Sequence, residues 1–198
     1  MKRLIVFLLV TSFLFGMGIV SLGEGLKDLS EEEIKQMEKD HPPDQPLKLP
    51  FDMGFKPFHY WTENQEPAGF GIEVSREVAK RLGRPGLEIV DVNWSGIFSG
   101  LFAKKYEAVF FTVFVTKERT KRLDYTEPFM TAAQGVAVQK KNESNITGEE
   151  DLQDKTVGVN TGSVSDTWAT NHKERYGFKI NRFDKVADAV MALRTGKI

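Results

Sequence analysis

Lys105–Phe129 reads KYEAVFFTVFVTKERTKRLDYTEPF. Its first part, Ala108 to Val115, is an apolar run rich in Val and Phe and flanked by charge. Such a run predicts a strand buried on both faces, the kind found in parallel sheets. Thr116 at its end predicts the N-cap of a short helix with Glu118 and Arg119 in the first turn. A cation is unfavourable at that end of a helix dipole. An arginine placed there, beside free backbone N–H groups, suits a receptor for a carboxylate or phosphate. A surface ion pair of Arg119 with Glu118 or Asp124 is the alternative.

Upstream, Leu47 to Asp52 reads as a strand, and Gly54, Pro57 and the aromatics after it read as a loop. Asn64 to Gly69 reads as a hairpin turn. Val74, Val78 and Leu82 fall four apart and predict a helix ending before Gly83. Leu87 to Val92 reads as a strand, and Trp94-Ser95-Gly96 leads into a helix pairing Ile97 with Leu101 and Phe98 with Phe102. With the run at 108–115 the order is β-α-β-α-β, which implies a parallel sheet with helices on both faces. Downstream, Gly135 to Gln139 reads as a strand, and Thr147 with Glu150 as a capped helical turn. Thr156 to Asn160 reads as a strand, Val164 to Tyr176 as a helix and Phe178 to Phe183 as a strand. A last helix is expected to be N-capped by Asp184, to put Val186, Val190 and Leu193 on one face and to stop at Gly196. Lys197-Ile198 reads as the start of a further strand, so the reading is of a partial chain.

Composition narrows the function. The chain has 198 residues, 40% hydrophobic and 28% charged, with a net charge of −1. That balance fits a globular α/β protein and gives no basis for a nucleic-acid partner. It has no Cys, which excludes disulfides, thiolate metal sites and a Cys nucleophile. Its three His, at 41, 59 and 172, show no metal-ligand spacing. No cofactor, metal site or catalytic residue is expected. Residues 1–25 read as a cleavable leader: Lys2 and Arg3 precede an apolar Leu4–Val20, and Ser21-Leu22-Gly23 offers small residues for cleavage. The absence of Cys after that run argues against a lipid-anchored lipoprotein. Residues 26–46 read as an acidic arm, with a short helix at about 31–39 capped by Ser30 and Glu33 and carrying Ile34 and Met37, ending in a Pro-rich linker.

Several segments, in their order and spacing, carry a resemblance that runs from about Leu47 to Ile198. They are Asp52 with Phe55-Lys56-Pro57-Phe58-His59-Tyr60; Gly69-Phe70-Gly71-Ile72-Glu73-Val74; Trp94-Ser95-Gly96-Ile97; Lys105-Tyr106-Glu107-Ala108; Thr116-Lys117-Glu118-Arg119; Asp124-Tyr125-Thr126-Glu127-Pro128-Phe129; and Val157-Gly158-Val159-Asn160-Thr161-Gly162-Ser163. Together they resemble the extracytoplasmic, periplasmic amino-acid-binding proteins of ABC transporters, bacterial solute-binding protein family 3. The resemblance implies a two-lobe α/β fold of the type II periplasmic-binding-protein kind, with lobe 1 over 47–134 and lobe 2, incomplete, over 135–198. It implies a monomer in the periplasm that passes a polar amino acid or similar solute to a membrane permease. It also implies a site in which Arg119, with N–H groups near Phe114, holds the solute carboxylate. Ser163 and the Gly162–Val164 backbone would clamp that carboxylate from lobe 2. Asp52 would face an ammonium or polar side chain, and Phe55 and Trp94 would sandwich the solute. Phe111, Thr112 and Phe114 depart from the small or hydroxyl residues usual in the family, and strand alternation would turn Thr112 and Phe114 to one face. Phe58 and Phe70 read as packing, and Tyr106 and Tyr125 as core residues with hydrogen-bonded hydroxyls. Two alternatives accompany this reading. One is a sensor input domain of a receptor. The other is a dehydratase of the same fold using Asp52 or Glu73 as general acid.

Overall fold

Leu47, Leu49 and Phe51 bury almost completely, and their spacing sets the first strand, β1 (Leu47–Phe51). The computed structural model describes residues 30–110 and 112–198. The expected leader lies outside these residues. So do Phe111 and the side chains of Glu33, Ile34 and Met37, on which the arm's capping box and apolar stripe rest.

In chain order come α1 (Glu31–Asp40), β1, β2 (Tyr60–Trp61), β3 (Pro67–Ala68), α2 (Phe70–Arg81), β4 (Leu87–Asp91) and α3 (Ile97–Phe102). Then follow β5 (Thr156–Asn160), α4 (Val164–Tyr176), β6 (Lys179–Phe183) and α5 (Val186–Thr195). β1 and β4 pair in parallel, from Leu47 with Leu87 to Phe51 with Asp91. β5 and β6 pair in parallel, from Thr156 with Lys179 to Asn160 with Phe183. β2 and β3 form the expected hairpin.

Two separate apolar cores result. The first joins β1 to Ile72 and Ala79 of α2, with Val78, Leu82, Leu87 and Ile89 against it. The second joins Leu152, Val159, Ala169 and Phe178, with Trp168 and Tyr176 on the helix side. Each is a parallel strand pair covered by a helix, the smallest unit that buries both a sheet face and a helix stripe.

The run at 108–115 does not form the expected strand. Among its described residues no sheet ladder occurs, and Val115 is 52% exposed. Thr112 adopts φ 62, a left-handed conformation that β-branched residues avoid and that interrupts an extended run. Among the described residues, backbone pairing to β1 is limited to Glu107 N–H donating to the Lys48 carbonyl at 3.1 Å. A side-chain staple holds the segment instead. Arg84, at the end of α2, sends Nη2 to Glu107 Oε1 at 2.7 Å and Nη1 to Oε2 at 3.1 Å. The same carboxylate accepts the Lys48 N–H at 3.2 Å, and Arg84 Nε reaches the Gln45 carbonyl at 2.6 Å. The arm ties into this staple through His41 Nδ1, 3.2 Å from Glu107, and through Asp40 with Lys104 at 2.9 Å.

Other expectations also change. Gly135 to Gln139 lies outside any sheet; Gly135, Val136 and Ala137 are exposed, and the Gln139 side-chain amide bonds to the Leu193 carbonyl. The turn after Ile146 is capped by the Asp151 carboxylate, which accepts the Thr147 and Gly148 N–H groups at 2.8 and 3.1 Å, rather than by Glu150. Lys185, not Asp184, stands at the N-cap of α5, and it makes no side-chain cap. Val190 is 51% exposed, because α5 buries Ala192 instead. Phe70 is 52% exposed, being the first residue of α2 rather than on its buried face.

Gly69 closes the hairpin onto the Pro57–His59 loop. With φ 119, a Cβ there would lie 2.6 Å from Phe58 C and 2.9 Å from His59 N. Both are backbone atoms and cannot swing away. Gly69→Ala is therefore expected to destabilise the protein by about 1–3 kcal/mol. Thermal unfolding followed by circular dichroism checks this; an unchanged midpoint would refute it.

Candidate functional site

Thr116 sets the position of Arg119. Its Oγ1 accepts the Arg119 N–H at 3.2 Å, and a 3-10 turn follows over Arg119–Lys121. The guanidinium is thereby turned inward. Nη1 donates to the Phe114 carbonyl at 3.1 Å, and Nη2 reaches the Gly162 carbonyl, 43 residues away, at 3.4 Å. Cζ lies 5.3 Å from the Trp94 ring centre and 5.1 Å from that of Phe98. Burial pulls its pKa down. Glu118 pairs with Lys121 at 2.7 Å instead, and among the described residues no carboxylate pairs with Arg119. The surface ion pair does not form. Arg119 remains a half-buried cation held by carbonyls and ring faces, and both satisfy its N–H groups without neutralising it.

Phe114 meets Arg119 through its carbonyl, and Thr112 at φ 62 breaks the strand alternation expected between the two residues. Trp94 opens a 3-10 turn that runs into α3, which brings Phe98 edge-on to it at 5.5 Å. Phe98 was not singled out from the sequence as a site residue, although its i,i+4 spacing from Trp94 was the available signal. Tyr125 was read as core with a satisfied hydroxyl. Its hydroxyl is instead buried without a partner among the described residues, close enough to feel the Arg119 charge.

The turn after β5 comes to this arginine from the other strand pair. Gly162 sits at φ 71, where glycine fits without a Cβ clash. Ser163 caps α4, its Oγ accepting the Asp166 N–H at 3.1 Å. Asp166 Oδ2 accepts the Gly162 N–H at 2.9 Å, and Oδ1 is held by Arg182 at 2.9 Å. The Gly162 N–H therefore already has an internal anion. The N–H groups of Val164 and Ser165, at the first positions of a 13-residue helix, have no intrahelical acceptor and remain suited to an anion.

Asp52, just past β1, is 7% exposed. Burial raises its pKa to about 6, while Lys185 and the Trp94 backbone N–H pull it back and Asp91 and Asp188 push it further. Its Oδ1 has no partner among the described residues. Trp94 thus links both charges, its N–H near Asp52 and its ring beneath Arg119. Phe55 stands apart from this group. It bridges His59 through the backbone and packs its ring against Phe58 and His59 at 5.4 and 5.5 Å. His59 is buried, its pKa lowered by that burial, and its Nε2 lies 3.5 Å from Thr112 Oγ1. The two rings against Arg119 are those of Trp94 and Phe98. Glu73 ion-pairs with Arg76 on the exposed side of α2 and is no part of the group.

A sequence model of the bacterial extracellular solute-binding proteins, family 3, matches residues 47–196. The arginine-binding extracellular protein ArtP of Bacillus subtilis (strain 168) is 29% identical over 143 residues, 72% of this chain and 54% of that protein. The chain therefore spans about half the length of the curated relatives it matches. Among solved structures, an ancestral arginine-binding protein bound to arginine is 31% identical with a TM-score of 0.74, covering 79% of this chain and 68% of that one. An ancestral amino-acid-binding protein, a precursor of cyclohexadienyl dehydratase, is 31% identical with a TM-score of 0.73, covering 83% and 70%. With two parallel strand pairs, a separate core on each and an unneutralised arginine between them, the chain belongs to the bacterial extracellular solute-binding proteins, family 3.

Proposed function

We propose that this chain captures a polar amino acid or a related small solute outside the cytoplasm and delivers it to the permease of an ABC transporter. The proposed protein is a monomer with no catalytic step. Lobe 1 is assigned to 47–134 and lobe 2 to 135–198, closing on the solute by a hinge motion stabilised by contacts to both. The observation that carries this reading is Arg119. It is half-buried, touches the Gly162 carbonyl of the other strand pair, lies against two aromatic rings and has no carboxylate partner among the described residues. A solute carboxylate supplies the missing charge bidentately. The N–H groups of Val164 and Ser165 would meet the same carboxylate, and Ser163 holds that helix end in place. Asp52 would take the solute's cationic group, which leaves Thr112 to shape the floor beside His59. The proposed absence of catalysis has one specific challenger, the Asp52 carboxyl, because a buried acid with a pKa near 6 could donate a proton. Turnover of prephenate or arogenate by the purified protein would favour that second reading.

Arg119→Ala is expected to weaken amino-acid binding by about 2–5 kcal/mol, because a desolvated carboxylate loses its cation. Isothermal titration calorimetry checks this, and an unchanged affinity would end the assignment. A second expectation follows from Asp52. Its pKa of about 6 falls when a cationic group binds beside it, so binding releases a proton. Affinity for a cation-bearing solute should then rise as pH increases through about 6 and level off above it. In Asp52→Asn the profile should be flat across that range. A wild-type profile with no inflection near 6 would contradict the assignment.

A further inference from the structure

Lys185 lies on the loop between β6 and α5, in the second strand pair, yet its ammonium reaches the first. Its Nζ is 3.6 Å from Asp91 Oδ1, at the end of β4. Asp91 is fixed there by the Met53 N–H and the Trp61 Nε1–H, both at 3.4 Å. Lys185 is also the strongest opposing charge on Asp52, while Asp188 on the same helix adds a further carboxylate nearby. The approach is close, since the Cβ of Ala187 would lie 3.8 Å from a Cβ built on Gly54. Asp91 and Asp52 therefore both face this ammonium, and the Asp188 charge is also felt at Asp52. Asp52 is more than nine-tenths buried and leaves Oδ1 without a partner among the described residues. Trp94 touches both groups, its N–H at Asp52 and its ring at Arg119, so the proposed solute cleft would carry an anion anchor at Arg119 and a cation site at Asp52.

We propose that Lys185 sets the charge selectivity of this cleft, its ammonium standing where the cationic group of a solute binds between Asp52 and Asp91. The proposal rests on the solute-binding reading above. A tethered ammonium competes with a free one because it reaches the same carboxylates at high effective concentration. A solute with a cationic side chain must displace Lys185 from Asp91, whereas a neutral side chain need not. The residue thus handicaps cationic solutes relative to neutral ones of similar shape, in a site whose net charge otherwise favours them.

The test is calorimetry on the whole protein and on Lys185→Gln and Lys185→Arg, with L-arginine, L-glutamine and L-glutamate as probes. In Lys185→Gln, arginine binding should tighten by about tenfold or more, the effect of removing one close charge of about 1.4 kcal/mol, with glutamine changed by less than about threefold. Lys185→Arg should restore the wild-type ratio of arginine to glutamine affinity. Unchanged arginine affinity in Lys185→Gln would overturn the proposal. So would a selective loss of glutamate binding, which would make Lys185 a direct contact to an anionic side chain. If the wild-type protein binds none of the three, the solute-binding reading and the proposal fall together. If it binds them and Lys185→Gln leaves all three unchanged, only the proposal falls.

Discussion

A half-buried guanidinium without a carboxylate partner among the described residues is the constraint around which this molecule is arranged. Arg119 is desolvated enough to lower its pKa, and it is met by two carbonyls and two ring faces. Such a group is costly unless a counter-charge arrives, because carbonyl dipoles and ring quadrupoles offset only part of the lost hydration. The two parallel strand pairs bring the groups that surround it from opposite sides. One contributes Phe114, Trp94 and Phe98; the other contributes the Gly162–Ser165 turn and the start of α4.

That placement depends on a second polar device. The segment leading to Arg119 has one backbone hydrogen bond to β1, so the bidentate Arg84–Glu107 pair fixes its start. The Glu107 carboxylate is half-buried, and that desolvation alone would raise its pKa, but the hydrogen bonds from His41, Arg84 and the Lys48 N–H hold it below the usual value. A carboxyl with a lowered folded pKa contributes stability above its unfolded value and loses it as pH falls through the folded one. The staple is therefore intact at neutral pH, where the proposed solute would be bound.

Much of this was legible in the sequence, and the misses have physical causes. Leu47, Leu49 and Phe51 announced β1 because alternation and burial agree there. The helix expected from Val164 to Tyr176 formed at those bounds, with Ser163 as its cap, because a cap works through its immediate neighbours. The strand expected at 108–115 failed because apolar content reports burial, while a ladder needs a partner strand and extended dihedrals throughout. Thr112 at φ 62 supplies neither, and nothing in its identity reveals this. Asp52, Trp94, Phe114 and Arg119 stood out as a set through their resemblance to a family pattern, but the contact of the Phe114 carbonyl with Arg119 did not. Lys185 and Asp91 were invisible. They are 94 residues apart, and only the packing of the start of α5 beside Gly54 brings their charges together.

The proposed cleft is bipolar, with Arg119 at one end, Asp52 at the other and Trp94 in contact with both. Its central claim is that Arg119 receives an α-carboxylate. The most direct test is calorimetric comparison of each amino acid that binds the protein with its own α-carboxamide, which keeps the side chain and ammonium but removes the negative charge. Every amide is expected to bind at least about thirtyfold more weakly than its parent acid, the lower bound of losing a desolvated ion pair. Equal affinities for acid and amide would contradict it.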